Sequence, residues 1–232
     1  MSSRTGILLI DKATGMTSHD VVAIVRKKLS AKGRPVSGWK VGHAGTLDPL
    51  ATGLLIILVG REFTKRQAEF MNSEKEYICR ARLGIETDTY DIDGKIIKEV
   101  AWEKVNNCIG EQVNKLLSKF RGKIKQCVPA FSAVKVRGQK LYEKARKGEV
   151  KKSELPVRVV EIKELELVSF DTDDKNKKAF FKLRIVCSKG TYIRSLIHDM
   201  GQELGVGATV IELRRIRSGE LSVKDAVLVS NI

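Results

Sequence analysis

The stretch "KVGHAGTLDPLATGLLIILVG" (residues 40–60) carries one carboxylate, Asp48, in a turn that leads straight into the apolar run Leu54 to Val59. Pro49 biases the aspartate away from helical geometry toward an extended one. Gly42, Gly45 and Gly53 let the backbone turn closely. A stiff turn holding a single acid at the lip of a buried strand suits a catalytic nucleophile or base, which must be in place before substrate arrives. The same pattern also describes an Asx-turn whose carboxylate bonds neighbouring amides. A second candidate is "CSKGTYIRSLIHDMG", Cys187 to Gly201. There a strand ends, Gly190 turns, and Tyr192 and Arg194 fall in the first turn of a helix. Free amides and one arginine at such a place can hold a phosphate or a carboxylate; a surface arginine has the same appearance. The third candidate, Tyr77, lies on an alternating strand in phase with Cys79 and Ala81, which taken alone is the pattern of a core tyrosine.

Other chemistries lack their residues. There is no G-x-x-x-x-G-K-[ST], G-x-G-x-x-G, H-E-x-x-H or G-x-S-x-G. Cys79, Cys108, Cys127 and Cys187 form no C-x-x-C pair, and His19, His43 and His198 add no zinc spacing. No metal, nucleotide or flavin cofactor is implied, and the four cysteines read as buried, reduced thiols. The expected chemistry is that of the protein's own side chains.

Charge points to a partner. Of the net +15, a surplus of +11 falls between Lys115 and Arg158, where 14 Lys and Arg face 3 acids. A focused basic field of this kind concentrates polyanions and releases counterions from phosphates, so nucleic acid is the expected partner. A lysine-rich solvated face has the same composition. With 42% apolar and 31% charged residues in 232, the chain has the balance of an ordinary globular protein. No window approaches the ~18 uncharged apolar residues of a membrane span. The start, "MSSRTGILLIDKATG", is too short in its apolar part for a signal peptide. A cytoplasmic protein is expected.

The elements that must position these residues follow from periodicity. Gly6 to Asp11 reads as a short buried strand. Thr17-Ser18, with Asp20 in the first turn, offers a cap for a helix with core residues Val21, Val22, Val25 and Leu29. "SAKGRPVSG" (Ser30 to Gly38) reads as a basic exposed loop. Leu54 to Val59 is a fully apolar, central strand. "KEYICRARLG" is half buried, with Arg80 and Arg82 on its wet face. "DTYDIDGK" is a turn-rich loop whose Asp93-Gly94 favours a hairpin. Apolar spacing predicts one amphipathic helix from Trp102 to Phe120. "SAVKVRGQKLYEKARKGE" predicts a strand, a turn at Gly138 and a basic helix ending at Gly148. Pro156 to Phe170 and Lys178 to Cys187 are strands. Thr191 can cap a helix with core residues Ile193, Ile197, Met200 and Leu204, stopped by Gly205. A last strand runs through "TVIELRRIR". Strands and helices mix without regular βαβ alternation, which favours an α+β fold with a largely antiparallel sheet.

Four stretches, "GHAGTLDPLATGLL", "KEYICRARLGIETDTYDIDG", "FSAVKVRGQKLYEKARKGE" and "KGTYIRSLIHDMG", closely resemble the motif blocks of the TruB family, in the family's order. The resemblance runs from "GILLIDK" to "ELRRIRSG". It implies the pseudouridine-synthase fold: a mixed, mainly antiparallel sheet with flanking helices and a central active-site cleft. It also implies isomerisation of the T-loop uridine of tRNA to pseudouridine, without a cofactor, by base flipping. By similarity Asp48 is the catalytic aspartate, acting as nucleophile or as a base at the ribose. Cleavage, rotation and re-attachment of uracil through C5 follow. Tyr77 matches the tyrosine that stacks on the base, and Arg194 the arginine paired with the catalytic aspartate. Tyr192 lies beside it in the same block. Leu213 matches the apolar residue lining the pocket. His43 matches the histidine near the flipped nucleotides, and Lys65 a basic residue close to the cleft. The basic segment 115–158, with Lys140, Lys144 and Arg146, is expected to dock the T-arm.

Departures from the family pattern fall outside the chemistry. "CVPAFSAVK" has Val128-Pro129 where two prolines are common, and "SAKGRPVSGWK" is a longer connection than usual. The chain ends at Ile232, and a single catalytic domain over 1–232 without the C-terminal PUA-type domain of many relatives is expected, as a natural short form or a truncation. A monomer needing no protein partner is the default. The alternatives are a guide-RNA-dependent, dyskerin-like synthase subunit and a non-catalytic tRNA chaperone.

Overall fold

The computed structural model describes residues 6–31, 40–108, 110–136 and 138–232. The strands are β1 (Gly6–Lys12), β2 (Val41–Ala44), β3 (Thr52–Val59), β4 (Lys75–Leu83), β5 (Ile85–Thr87), β6 (Ile96–Glu99), β7 (Gly122–Cys127), β8 (Lys135–Val136), β9 (Gln139–Lys140), β10 (Val157–Asp173), β11 (Lys178–Cys187), β12 (Ala208–Ser218), β13 (Leu221–Ser222) and β14 (Val227–Leu228). The α-helices are α1 (Ser18–Ala31), α2 (Arg61–Lys65), α3 (Gln67–Met71), α4 (Trp102–Asn106), α5 (Gly110–Leu117), α6 (Leu141–Arg146) and α7 (Ile193–Glu203). Two units result, Met1–Ile78 with Leu213–Ile232, and Cys79–Glu212.

The first unit is organised on β3. One edge pairs antiparallel with β1, from Gly6↔Val59 to Lys12↔Gly53. β12 pairs parallel at Arg214↔Thr52 and Arg215↔Gly53, and β2 pairs antiparallel from Val41↔Val59 to Ala44↔Ile56. β14 lies parallel to β1. Every residue from Leu54 to Val59 is buried, as a strand covered on both faces requires. Ala44, Leu54, Ile56 and Leu58 pack against Leu9, Phe63 and Phe70. A Cβ on Gly53 would stand 2.2 Å from the Arg215 carbonyl oxygen, and its φ is +97°. Only glycine lets β3 and β12 approach here. At the start of α1 the Thr17 amide donates to Asp20 Oδ2 (2.8 Å) and the Asp20 amide to Thr17 Oγ1 (3.1 Å), a reciprocal capping box. Of the loop predicted over 30–38, residues 30 and 31 end α1 and the others lie outside the described residues.

The second unit carries the order β4-β11-β10-β7. β10 and β11 form a long antiparallel hairpin from Ile162↔Cys187 to Asp173↔Lys178, and β7 pairs antiparallel with β10. The fold is mixed α+β with a mainly antiparallel sheet, as expected. Three local expectations need correction. The helix predicted over 102–120 is two helices: α4 ends at Asn106 with Asn107 as its C-cap, and α5 begins at Gly110, the weak helix formers Asn106, Asn107 and Gly110 marking the break. The strand predicted to stop at Phe170 continues to Asp173, since cross-strand pairing with β11 overrides the polar composition of "DTD". Thr191 does not cap α7; its hydroxyl donates to Ser188 O (2.9 Å), and Tyr192 is the N-cap residue, without a side-chain cap. Gly205, at φ +76°, follows the helix end as expected.

Candidate active site

The turn between β2 and β3 presents Asp48, half-buried, on a backbone gripped almost residue by residue. Ser18 is spared from capping because Thr17 does that work, and its hydroxyl closes on Leu47, accepting from the amide (2.9 Å) and donating to the carbonyl (3.1 Å). Lys12, buried at the end of β1, donates to Ala13 O (2.9 Å), Met16 O (2.7 Å) and Pro49 O (3.2 Å). The Gly15 amide also donates to Pro49 O (2.9 Å), and Thr14 Oγ1 to Leu50 O (3.2 Å). Arg215 reaches in from β12, 1% exposed, with Nε on Leu54 O (2.8 Å) and Nη2 on Gly45 O (2.9 Å). Burial lowers the Lys12 pKa to about 8, against the pull of the Asp48 and Asp20 carboxylates. Held this way, an acid needs no reorganisation when substrate arrives.

The first unit also holds His43, Lys65, Tyr77 and Leu213. His43 is on β2, and its carbonyl accepts from Gln67 Nε2 (2.7 Å). Its Nδ1 is buried with no hydrogen-bond partner among the described residues, and burial, with His19 and Arg215 assisting, lowers its pKa. The imidazole is therefore neutral at pH 7. Lys65 is exposed at the end of α2; Tyr77 on β4 and Leu213 on β12 are buried.

The second unit holds Tyr192 and Arg194. The surface-arginine reading of Arg194 fails: it is 3% exposed. Its Nη1 donates to Thr89 O (2.6 Å), Nη2 to Phe131 O (3.0 Å), and Nε lies 3.6 Å from Asp91 Oδ2. The expected free amide at the helix start is also corrected at Tyr192, whose N–H donates to Gln126 Oε1 (2.7 Å) while its carbonyl accepts from Gln126 Nε2 (3.0 Å). Arg80 and Arg82 do not simply face water. Arg80 lies 4.6 Å over the Phe180 ring and 3.4 Å from Glu212, and Arg82 is 3.7 Å from Glu99. None of the four cysteines is in a disulfide.

On the basic segment, Lys140 and Arg146 both lie over the Tyr142 ring, at 5.4 and 5.5 Å. Lys144 is half-buried and Arg146 exposed. Cations arrayed around an aromatic ring present charge and a stacking surface together, which suits RNA.

Sequence reading passed over Lys12, Arg215, Gln126 and Asp91, and gave Ser18 only a share in capping. Only Asp91 left a signal, as the middle acid of "DTYDIDG".

Comparison with known proteins places these residues in context. The TruB family pseudouridylate synthase N-terminal domain matches residues 26–193, and the tRNA pseudouridylate synthase B C-terminal domain matches 194–232. The chain is 45% identical to "tRNA pseudouridine synthase B" of Desulfotalea psychrophila, over 96% of this chain and 85% of that one. It is 43% identical to the protein so named in Protochlamydia amoebophila (96% and 77%) and 44% identical to that of Aquifex aeolicus (96% and 71%). Among solved structures, a Cbf5-Nop10-Gar1 complex matches with TM-score 0.66 at 29% identity, over 94% of this chain. An H/ACA RNP bound to a substrate RNA containing 2'-deoxyuridine matches with TM-score 0.66 at 25% identity, over 97%. The chain spans about half of each of those two chains, 50% and 51%.

Proposed function

The chain belongs to the TruB family of pseudouridylate synthases, and on that premise we propose that it isomerises a uridine in the T-loop of tRNA to pseudouridine. Asp48 is the catalytic carboxylate. It acts on a flipped-out uridine as nucleophile or as ribose base; the N1–C1′ bond breaks, the uracil turns, C5 bonds to C1′, and loss of the C5 proton is balanced by a proton gained at N1, so that the product is an isomer of the substrate. Unstacking the base costs a few kcal/mol, which an aromatic and apolar clamp offsets. Tyr77 and Leu213 supply that clamp, and Arg194 takes the role of the family's active-site arginine. His43, Lys65 and Tyr192 contact the flipped region, and Lys140, Lys144 and Arg146 dock the T-arm. An isomerisation consumes no redox equivalent or energy source, in keeping with the missing cofactor motifs.

The observation that carries this reading is the gripped turn: a lone carboxylate between Gly45 and Leu50 whose backbone is bonded by Lys12, Ser18, Thr14 and Arg215. The curated relatives at 43–45% identity favour a tRNA enzyme over a guide-dependent subunit. We take the working protein to be a cytoplasmic monomer that needs no partner protein. No helix among the described residues is long and apolar enough to cross a membrane.

The test is an unmodified tRNA transcript incubated with purified protein and no guide RNA. Pseudouridine forms with the wild type. Asp48→Asn abolishes turnover while tRNA affinity stays within a few-fold. Normal turnover by that variant removes Asp48 from the chemistry, and activity only with an added guide overturns the tRNA reading.

A further inference from the structure

Arg194 and His198 stand one turn apart on the same side of α7. Three consecutive residues of the 88–94 loop meet that side. The Thr89 carbonyl accepts from Arg194 Nη1 (2.6 Å), Asp91 Oδ2 lies 3.6 Å from Arg194 Nε, and between them the Tyr90 ring lies flat on the His198 imidazole, 3.9 Å between centroids and 11° from parallel. Tyr90 has φ +65°, and among the described residues only Lys177 shares a left-handed backbone without being glycine. A bulky residue avoids this region unless its surroundings impose it. Here they do: Tyr90 N–H donates to Thr87 O (3.3 Å), and its carbonyl accepts from the Val210 amide (3.2 Å). The left-handed step at residue 90 lets the loop aim a carbonyl and a carboxylate, one on each side of Tyr90, at the same guanidinium. The ring, seated on His198, stops that step from relaxing.

We propose that the Tyr90–His198 stack is a positioning device for Arg194, registering the 88–94 loop on α7 so that the guanidinium keeps one orientation during the reaction. Neither aromatic residue touches substrate in this account. The inference rests on Arg194 having the active-site role proposed above. It assigns a task to two residues that the charge and motif readings left unused.

The test compares kcat and KM on an unmodified tRNA transcript. Tyr90→Gly removes the ring without straining φ +65°, and because glycine also frees the backbone, His198→Ala, which leaves residue 90 unchanged, isolates the loss of the stack. We expect kcat to fall about tenfold with KM within twofold, the mark of a misplaced group rather than weakened docking. Tyr90→Phe and His198→Phe keep a stacking surface and should retain wild-type kcat, whereas His198→Ala should match Tyr90→Gly. The double variant should be no slower than either single one. Should Tyr90→Gly fail to fold, the His198→Ala and His198→Phe pair decides alone. Wild-type kcat in folded Tyr90→Gly or in His198→Ala overturns the proposal. So does a fall confined to KM, or failure of the Phe variants to rescue. Arg194→Ala separates the two readings. If it is inactive while Tyr90→Gly is normal, the stack alone is wrong. If it is fully active, the role of Arg194 fails and the proposal falls with it.

Discussion

Arg215 is the residue whose removal most directly tests whether the Asp48 turn is built in advance. Its guanidinium is 1% exposed and donates to two main-chain carbonyls, Leu54 O at 2.8 Å and Gly45 O at 2.9 Å. Arg215→Met keeps an unbranched apolar stem, so the cavity term is small. What changes is that two buried carbonyls lose a charged donor, at about 1–3 kcal/mol each. Against this stands the cost of burying a guanidinium in the wild type, which the variant no longer bears. Net of that cost, a hydrogen bond to a charged group contributes about 1.5–3 kcal/mol, so the lower end for two such bonds, about 3 kcal/mol, is the expected loss of stability. At about 2–4 °C per kcal/mol for a chain of this size, the melting temperature should fall by about 6–12 °C. Activity should suffer more than stability suggests. Gly45 is three residues from Asp48, and a catalytic group displaced by about 1 Å costs on the order of 100-fold in rate. Arg215→Lys carries a point charge in place of a fork, can serve one carbonyl well, and should fall between the two. Thermal melts and single-turnover assays on a tRNA transcript measure both effects. A folded Arg215→Met that melts within 2 °C of wild type and turns over within about twofold would refute the view that this turn depends on its buried cation.

Two further predictions concern charge. Lys12 has a folded-state pKa of about 8 against an ordinary 10.5. Below pH 8 its burial penalty is present in full; between 8 and 10.5 the unfolded chain binds the extra proton, so this group adds stability as pH rises, by up to about 3 kcal/mol. Urea unfolding of wild type and Lys12→Met should therefore diverge in favour of the wild type across that window, and parallel curves would count against it. Reversing Lys140, Lys144 and Arg146 to glutamate should weaken tRNA binding and lower the slope of log affinity against log salt by about 2–3. Filter binding at several salt concentrations decides it, and an unchanged slope would remove this surface from the docking site.

Much of the fold was legible because it is local. Leu54 to Val59 is a run of apolar residues and becomes a strand buried on both faces. Thr17 and Asp20 are three apart and form a capping box. Gly205 stops its helix. The errors have two sources: apolar spacing over 102–120 hid the weak helix formers Asn106, Asn107 and Gly110 at which the helix breaks, and pairing with the distant β11 carries β10 past its apolar part. The same holds at the site. Asp48 and Arg194 declare themselves through motif resemblance, but the groups that hold them do not. Arg215 and Gly45 are 170 residues apart, Arg194 and Thr89 are 105, and Tyr192 and Gln126 are 66. Nothing in the spacing of Arg214-Arg215 says that Arg214 pairs with Asp11 at the surface while its neighbour is sealed in the core.

That difference in depth has a consequence for how the enzyme divides its work. The side chains that grip the Asp48 turn come from β1, α1 and β12, and Lys12, Ser18 and Arg215 are all buried. Moving the acid therefore requires disturbing a packed interior, which resists small displacements. Lys140, Lys144 and Arg146 instead sit on a short helix and its approach, half-buried or exposed, with Lys140 and Arg146 over the Tyr142 ring. Exposed cations are strongly hydrated, screened by salt and replaceable at little cost to the fold. Substitutions on that surface should act on affinity, and substitutions beneath the turn on the chemical step. On the proposed reading, the carboxylate needs one fixed geometry for one reaction while the grip on RNA can vary with the RNA, which matches a turn anchored by buried side chains and cations carried nearer the surface.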